Sequence, residues 1–208
     1  MENSKNSIVK NALVLCIITL IAGLCLGVVY DITKEPIEKA KLAANLEAYQ
    51  AVFPDAADFN YEASLTSAVK AFPDALASSG LQLGNVVLNE ALEAEDASGN
   101  IIGYIVSSTS KDGYGGNVTV SVGINLEGMI TGVKHLELNE TAGLGMKAAE
   151  PEFQDQYKNK KVDSFVVTKS GAQADNEIDA LSGATITSNA FTHAVNAAVY
   201  FVDNCLQQ

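Results

Sequence analysis

Arginine is absent from this chain of 208 residues: all 13 of its basic residues are lysines, set against 25 acidic ones, for a net charge of -12. A nucleic-acid partner is therefore excluded, because binding one requires cations that displace counterions from the phosphate backbone. Any phosphate site must also work without the bidentate guanidinium fork. Cysteine is scarce too. Cys16, Cys25 and Cys205 are the full set, and two of them share one apolar run. That pattern excludes a disulfide scaffold, and three scattered thiols cannot supply four ligands to an iron–sulfur cluster. Only two histidines occur, His135 and His193, and neither sits beside a candidate nucleophile in sequence. With 48% hydrophobic residues, the chain is not disordered.

A long uncharged run is present. Residues 12–30, ALVLCIITLIAGLCLGVVY, contain no charge between Lys10 and Asp31. As a helix they reach about 28 Å at ~1.5 Å per residue, just enough to span a hydrocarbon core of ~30 Å. The run is longer than the apolar region of a cleaved signal. A lipoprotein signal ending at Cys25 is disfavoured by bulky Leu24 before it. The expectation is an uncleaved single span. Lys5 and Lys10 precede it and Lys34, Lys39 and Lys41 follow, so lysine count barely orients it; the acidic remainder fits the outer face, with the N-terminus cytoplasmic. Cys16 and Cys25 fall on roughly opposite helix faces and read as packing or lipid-facing residues. Gly23, Gly27 and Ala22 suit packing against partner helices.

The expected organisation is a cytoplasmic tail at 1–11, the span at 12–30, a helical stalk and turn-rich connecting region at 31–85, and a folded domain at 86–208. Within the stalk, 32–51 carries an imperfect apolar face. Two Phe-Pro-Asp-Ala segments, at 53–56 and 72–75, read as local turn chemistry. Strands are expected over 86–108 and a hairpin over 117–138, followed by a short helix at 151–159, a strand at 162–167 and a helix at 187–206. Strands first and mixed elements later indicate an α+β fold.

Three segments carry the chemistry. Asp179-Ala-Leu-Ser182-Gly183-Ala184-Thr185-Ile-Thr187-Ser188 crowds hydroxyls onto a helix start, where backbone N–H groups are unpaired and the helix dipole favours an anion. Gly183 and Ala184 permit close approach. Helix capping by Ser182 or Thr185 explains the same residues without a ligand. Asp112-Gly-Tyr114-Gly-Gly-Asn-Val opens the hairpin, and Glu140-Thr141-Ala-Gly-Leu144-Gly145-Met-Lys147 closes it. Neither has the spacing of a P-loop or a dinucleotide fingerprint.

These segments, in this order behind one N-terminal span, resemble the G subunit of the Rnf electron-transport complex, over nearly the whole chain. The family's flavinylation motif, an acidic residue, two spacers and Ser/Thr-Gly-Ala-Thr, is matched throughout from Asp179 to Thr185. The loop from Glu140 to Gly145 is similar to the family's Glu-Thr-Pro-Gly-Leu-Gly, with Ala142 where proline is usual; the loop is less rigid for that. The resemblance implies an extracytoplasmic FMN-binding domain, with FMN attached covalently by a phosphoester to Thr185. It further implies cofactor contacts from Ser182, Gly183, Ala184, Glu140, Thr141, Leu144, Gly145 and Tyr114, and a motif role for Asp179. No protein metal site and no activity of the subunit alone are implied. Attachment would be made by a Mg²⁺-dependent flavin transferase that uses FAD and releases AMP. Partners would be the other membrane and iron–sulfur subunits of a cell-membrane complex. That complex moves electrons between ferredoxin and NAD⁺ and couples this to Na⁺ or H⁺ transport. Met146 is a candidate to cover a ring face, and Lys134 and Lys147 are candidates to stabilise an anionic flavin. Three alternatives stand beside this reading. One is the C subunit of the Na⁺-translocating NADH:quinone reductase, which shares motif and topology. The others are an anchored acidic binding domain without flavin and a free-standing flavin reductase, for which no acid–base set is visible.

Overall fold

The computed structural model describes residues 2–206, with side chains at 10–30, 32–33 and 44–206. It divides into two compact units, Met1–Ala44 and Asn45–Gln208. Helix α1, Glu2–Val52, supplies the first unit and, from Asn45, the opening turns of the second. Within it, Lys10–Tyr30 is long and apolar enough to cross a membrane. Its leucines and isoleucines lie on the outside, Leu20 and Leu26 among them. An apolar helix exposed all round has no core to face and needs an apolar solvent.

The second unit is built on a five-stranded antiparallel meander in chain order: β1 (Asp58–Asn60), β2 (Val86–Glu95), β3 (Ile101–Ser110), β4 (Val118–Asn125) and β5 (Ile130–Leu138). Side-chain turns set its registers. Asp96 Oδ1 accepts the amides of Ser98 and Asn100, and Asn125 Oδ1 those of Glu127 and Met129; such Asx turns compete well against continued strand. Period-2 alternation divides β4. Val118, Val120, Val122 and Ile124 enter the main core, while Thr119, Ser121 and Gly123 take the other face.

Helix α4, Thr185–Phe201, covers the first face and contacts β2, β3 and β4. Ala190, Ala194, Ala197 and Ala198 on it are wholly buried. Their small volume brings the helix backbone near enough for Ser108 Oγ to donate to Ala194 O at 2.7 Å. A π-helical turn, Val202–Leu206, extends it. The second face is covered by the end of α1, where Tyr49, Val52 and Phe53 pack with Leu92, Ala94 and Ile105. Glycine makes this seat. Gly123 and Gly132 pair across β4 and β5, and a Cβ on them would meet Val52 O at 2.6 Å and Val52 Cα at 2.9 Å respectively. Thr131 Oγ1 donates to the same Val52 carbonyl at 2.5 Å. Glu90, at a bulge in β2, accepts from the Tyr49 and Tyr61 hydroxyls. Burial first, and the Glu90 carboxylate second, push Tyr61 up to about 12 and raise Tyr49 as well. Both phenols therefore stay protonated donors at neutral pH.

The structure differs from the sequence expectation in several places. The compact unit begins at Asn45, so much of 31–85 is part of the domain rather than a connection. The segment 72–75 is helical, inside α2 (Ala63–Ser79), with Pro73 in its interior. Phe72 there is buried edge-on against Tyr200 and Phe201, and this packing overrides the turn chemistry. The segment 53–56 does turn, with Ala56 N–H bonded to Phe53 O. The helix expected over 151–159 is a short α3, Pro151–Gln154, continued as a 3-10 turn. The last strand is displaced to β6 (Val166–Thr168), which pairs in parallel with β7 (Glu177–Asp179).

If Val52 is seated on glycine as described, Gly123→Ala overpacks the seat at a cost of about 1–3 kcal/mol. The expected result is a Tm lowered by roughly 2–4 °C per kcal/mol, read by circular dichroism on the detergent-solubilised chain. An unchanged Tm would show that Val52 does not bear on β4.

Candidate functional site

The three sequence segments converge at one end of the sheet, around the start of α4. The loop after β3 is fixed first. Asp112 accepts the Asn85 amide at 2.7 Å and the Asn85 side chain at 3.1 Å. Those hydrogen bonds, backbone first, hold its carboxyl below the usual carboxylate range. Glycine at 115 is required, since a Cβ there would lie 2.2 Å from Asn139 O. The closely approached segment supplies Glu140, whose two carboxylate oxygens accept the amides of Tyr114 at 2.8 Å and Gly115 at 3.2 Å. Glu140 thus binds one sequence motif to another.

After Glu140 the chain turns on Thr141 O, which accepts from the amides of Leu144 and Met146, and enters a 3-10 turn, Gly145–Ala149. Gly145 is where this loop meets α4: a Cβ would lie 2.7 Å from Thr187 Oγ1 and 2.8 Å from Glu140 Cβ. The third segment folds back on itself. Gly183 takes φ of +74°, and Ala184 N–H bonds to Leu181 O. Ser188 Oγ then accepts the Leu181 amide and donates to Ala184 O, both at 3.0 Å.

The N-cap of α4 is Ala184, with no side-chain cap. Neither Ser182 nor Thr185 caps the helix; Ser188 fastens the loop from inside. The helix begins at Thr185, two residues before the sequence expectation. No hydrogen bond among the described residues uses the Thr185, Ile186 or Thr187 amide or the Thr185 hydroxyl. The residues that carry these donors line a cavity of about 500 Å³, within the ~300–1,000 Å³ typical of cofactor sites.

Eight residues expected as contacts line it: Thr185, Gly183, Ala184, Glu140, Thr141, Leu144, Gly145 and Tyr114. Ile186 and Thr187 line it as well. The sequence reading set Thr187 outside the motif, which ends at Thr185, and gave Ile186 no role. Ser182 and Asp179 are not on this cavity. They line an adjacent recess of about 420 Å³ with Lys147. Asp179 Oδ1 accepts the Ala172 amide at 2.6 Å, and its own amide donates to Gln156 Oε1 at 2.7 Å, so it shapes the approach to the motif. Lys134 and Met146 do not line the cavity.

The cavity wall contains no cation, and its one carboxylate is occupied by amides. A phosphate suits such a wall only at the helix start, where free N–H groups and the dipole supply the positive end. Tyr114, Leu144 and Ile186 are large and exposed at the rim, Tyr114 by 72%, and suit the apolar faces of an isoalloxazine. Both histidines lie elsewhere. His135 Nδ1 is paired with Gln154 Nε2 at 2.9 Å, and His193 lines a separate recess. Burial lowers the pKa of each. Among the described residues no His, Cys, Asp or Glu group is arranged to hold a metal.

The Glu140 bridge is testable. In Glu140→Gln one of the two acceptor atoms becomes an amide donor, so one N–H of the Tyr114–Gly115 pair loses its partner. Hydrogen bonds to a charged acceptor contribute about 1.5–3 kcal/mol, so hydrogen exchange at Tyr114 and Gly115 should quicken by about 10- to 100-fold. Unchanged protection would separate Glu140 from that loop.

Comparison with known proteins places these features together. A model of the FMN-binding domain matches residues 113–200, and one of the RnfG N-terminal region matches residues 1–52. The G subunit of the Na⁺-translocating ferredoxin:NAD⁺ oxidoreductase complex of Acetobacterium woodii is 35% identical, covering 94% of this chain and 91% of that protein. The G subunit of the ion-translocating oxidoreductase complex of Methanosarcina acetivorans is 30% identical, covering 97% of each chain. The G subunit of the proton-translocating ferredoxin:NAD⁺ oxidoreductase complex of Clostridium ljungdahlii is 31% identical, covering 95% and 91%. Among solved structures, NqrC of Shewanella oneidensis is similar at TM-score 0.45 and 23% identity, over 53% of this chain and 54% of that one. The C subunit of the Na⁺-translocating NADH-quinone reductase of Parabacteroides distasonis is similar at TM-score 0.48 and 23% identity, over 57% and 62%. With relatives of 30–35% identity spanning nearly the whole of both chains, the chain belongs to the G-subunit family of ion-translocating Rnf oxidoreductase complexes.

Proposed function

We propose that this chain is the membrane-anchored flavin subunit of an ion-translocating Rnf complex, carrying FMN on Thr185 through a phosphoester. One observation carries the reading. Thr185 is the first residue of α4, its hydroxyl and the three leading amides are unused, and the three residues that carry them line one cavity with no cation in its wall. An arginine-free chain has few other ways to hold a phosphate.

The attachment is a group transfer by an external flavin transferase. Thr185 Oγ attacks the phosphorus on the flavin side of FAD. A P–O bond to the threonine forms, the pyrophosphate bond breaks, and AMP leaves, with the threonine proton passing to solvent. A threonine hydroxyl needs a base for this, and none adjoins it here; the transferase and its Mg²⁺ supply the activation. Asp179 and Ser182, on the recess beside the cavity, form part of the surface that the transferase reads. Once bound, FMN supplies the redox chemistry. The chain's own part is to hold the phosphate at the helix start, exclude water with Tyr114, Leu144 and Ile186, and tether the cofactor beside its partners. In this reading residues 12–30 of α1 are the single cell-membrane span, with the N-terminus cytoplasmic, the domain extracytoplasmic, and the iron–sulfur and nicotinamide sites on other subunits. The chain has no activity alone.

Intact mass of the denatured chain, co-produced with a matching flavin transferase, tests this. The expected gain is one FMN less one water, absent from Thr185→Ala. No gain with a demonstrably active transferase would overturn the covalent assignment.

A further inference from the structure

We infer that Thr187, which lies outside the attachment motif, is the phosphate-positioning residue of the cavity: its hydroxyl donates to a phosphoryl oxygen of FMN held against the free amides of α4. This rests on the FMN reading above, but assigns to Thr187 a role separate from attachment.

Thr187 is 1% exposed, yet it lines the cavity, and no hydrogen bond among the described residues uses its hydroxyl. The other buried hydroxyls on α4 are paired: Ser188 bonds Leu181 and Ala184, and Thr192 bonds Tyr157 and Ser188. Among the described residues, Thr187 Oγ1 is not one of the fully buried unpartnered side-chain atoms, which are Ser121 Oγ and His193 Nδ1; it is open to the cavity, where an acceptor from outside the chain can complete it. Direction follows from helix geometry. Thr187 is the third residue of α4, and side chains on a helix tilt toward its N-terminus. Its Oγ1 therefore reaches back toward the point where the amides of Thr185, Ile186 and Thr187 converge. Residues at this position often bond the N-cap amide instead; here that amide is already bonded to Leu181 O. Gly145 lies across from it, and any side chain there would press on Oγ1. The ligand it fits is an anion with acceptor oxygens, because the wall offers donors and no cation. Within FMN that is the phosphate.

Thr185 and Thr187 then divide the work. The first is half-buried and presents its hydroxyl for esterification. The second, walled in, orients the phosphoryl group and through it the flavin.

The test uses the full chain in detergent, as wild type, Thr187→Val and Thr187→Ser. FMN and riboflavin are titrated separately by flavin fluorescence, and the transferase-loaded chains are examined by ³¹P NMR. Valine keeps the shape and removes the hydroxyl, and serine keeps the hydroxyl. The expected result is FMN binding weakened about 10- to 100-fold in Thr187→Val, with riboflavin unchanged, a displaced ³¹P resonance in the loaded chain, and near wild-type behaviour in Thr187→Ser. Equal weakening of FMN and riboflavin would assign Thr187 to packing and overturn the inference. So would wild-type FMN binding, or, where free FMN binds too weakly to titrate, an unmoved ³¹P resonance in the loaded Thr187→Val chain. A wild-type chain that takes up flavin in neither form would overturn the proposed function first and this inference with it. A loaded wild type beside an indifferent Thr187→Val overturns this inference alone.

Discussion

The start of helix α4 is the constraint on which the rest of the domain depends. Its alanines sit flat on the sheet and close the main core. Its first three amides are left unpaired at the sheet's end. One helix thus supplies both the largest packed surface and the positive pole of the site. A chain without arginine and with a net charge of -12 has strong reason to hold phosphate in this way. Backbone donors add no net charge, cannot titrate, and are held in place by the core behind them. The Ser188 clasp belongs to the same arrangement. By bonding Leu181 and Ala184 from within the helix, it fixes the loop while leaving the Thr185 hydroxyl unencumbered.

The sheet has two faces with different tasks. On one, α4 anchors the cofactor end. On the other, the last turns of α1 are received by Gly123 and Gly132, with Thr131 and Glu90 holding Val52, Tyr49 and Tyr61. Glycine pairs weaken a sheet. They are tolerated here because they admit a helix backbone to within contact of the strands. The buried apolar residues around Val52 and the hydroxyl–carboxylate cluster at Glu90 make this end of α1 an integral part of the domain.

The site joins segments far apart in sequence through a small number of contacts. Glu140 ties the Tyr114 loop to the segment after β5, and Gly145 lets that segment approach Thr187. Neither contact contributes flavin chemistry. Their effect is to join three segments into one cavity wall, and a tethered cofactor needs positioning more than it needs catalytic side chains.

Much of this was legible from residues alone. The uncharged run announced an apolar helix, alternation announced β4 and β5, and the Asp179–Thr185 motif with two glycine-rich loops named eight of the cavity's residues. These signals are local, since each depends on neighbours within a few positions. The sequence could not reveal that 72–75 is helical, because the cause is Phe72 packing on Tyr200 and Phe201, more than a hundred residues away. It could not assign Gly123 and Gly132 to a helix seat, because the helix they receive precedes them by some seventy positions. It set Thr187 aside, because the motif ends at Thr185 and the sequence does not show which side chain of the first turn lines the cavity. What the sequence determined by itself was the composition of the site: which donors and hydroxyls are present, and that no arginine is. What the tertiary structure decided was their direction, because hydrogen-bond partners and burial depend on contacts between segments that no local pattern encodes.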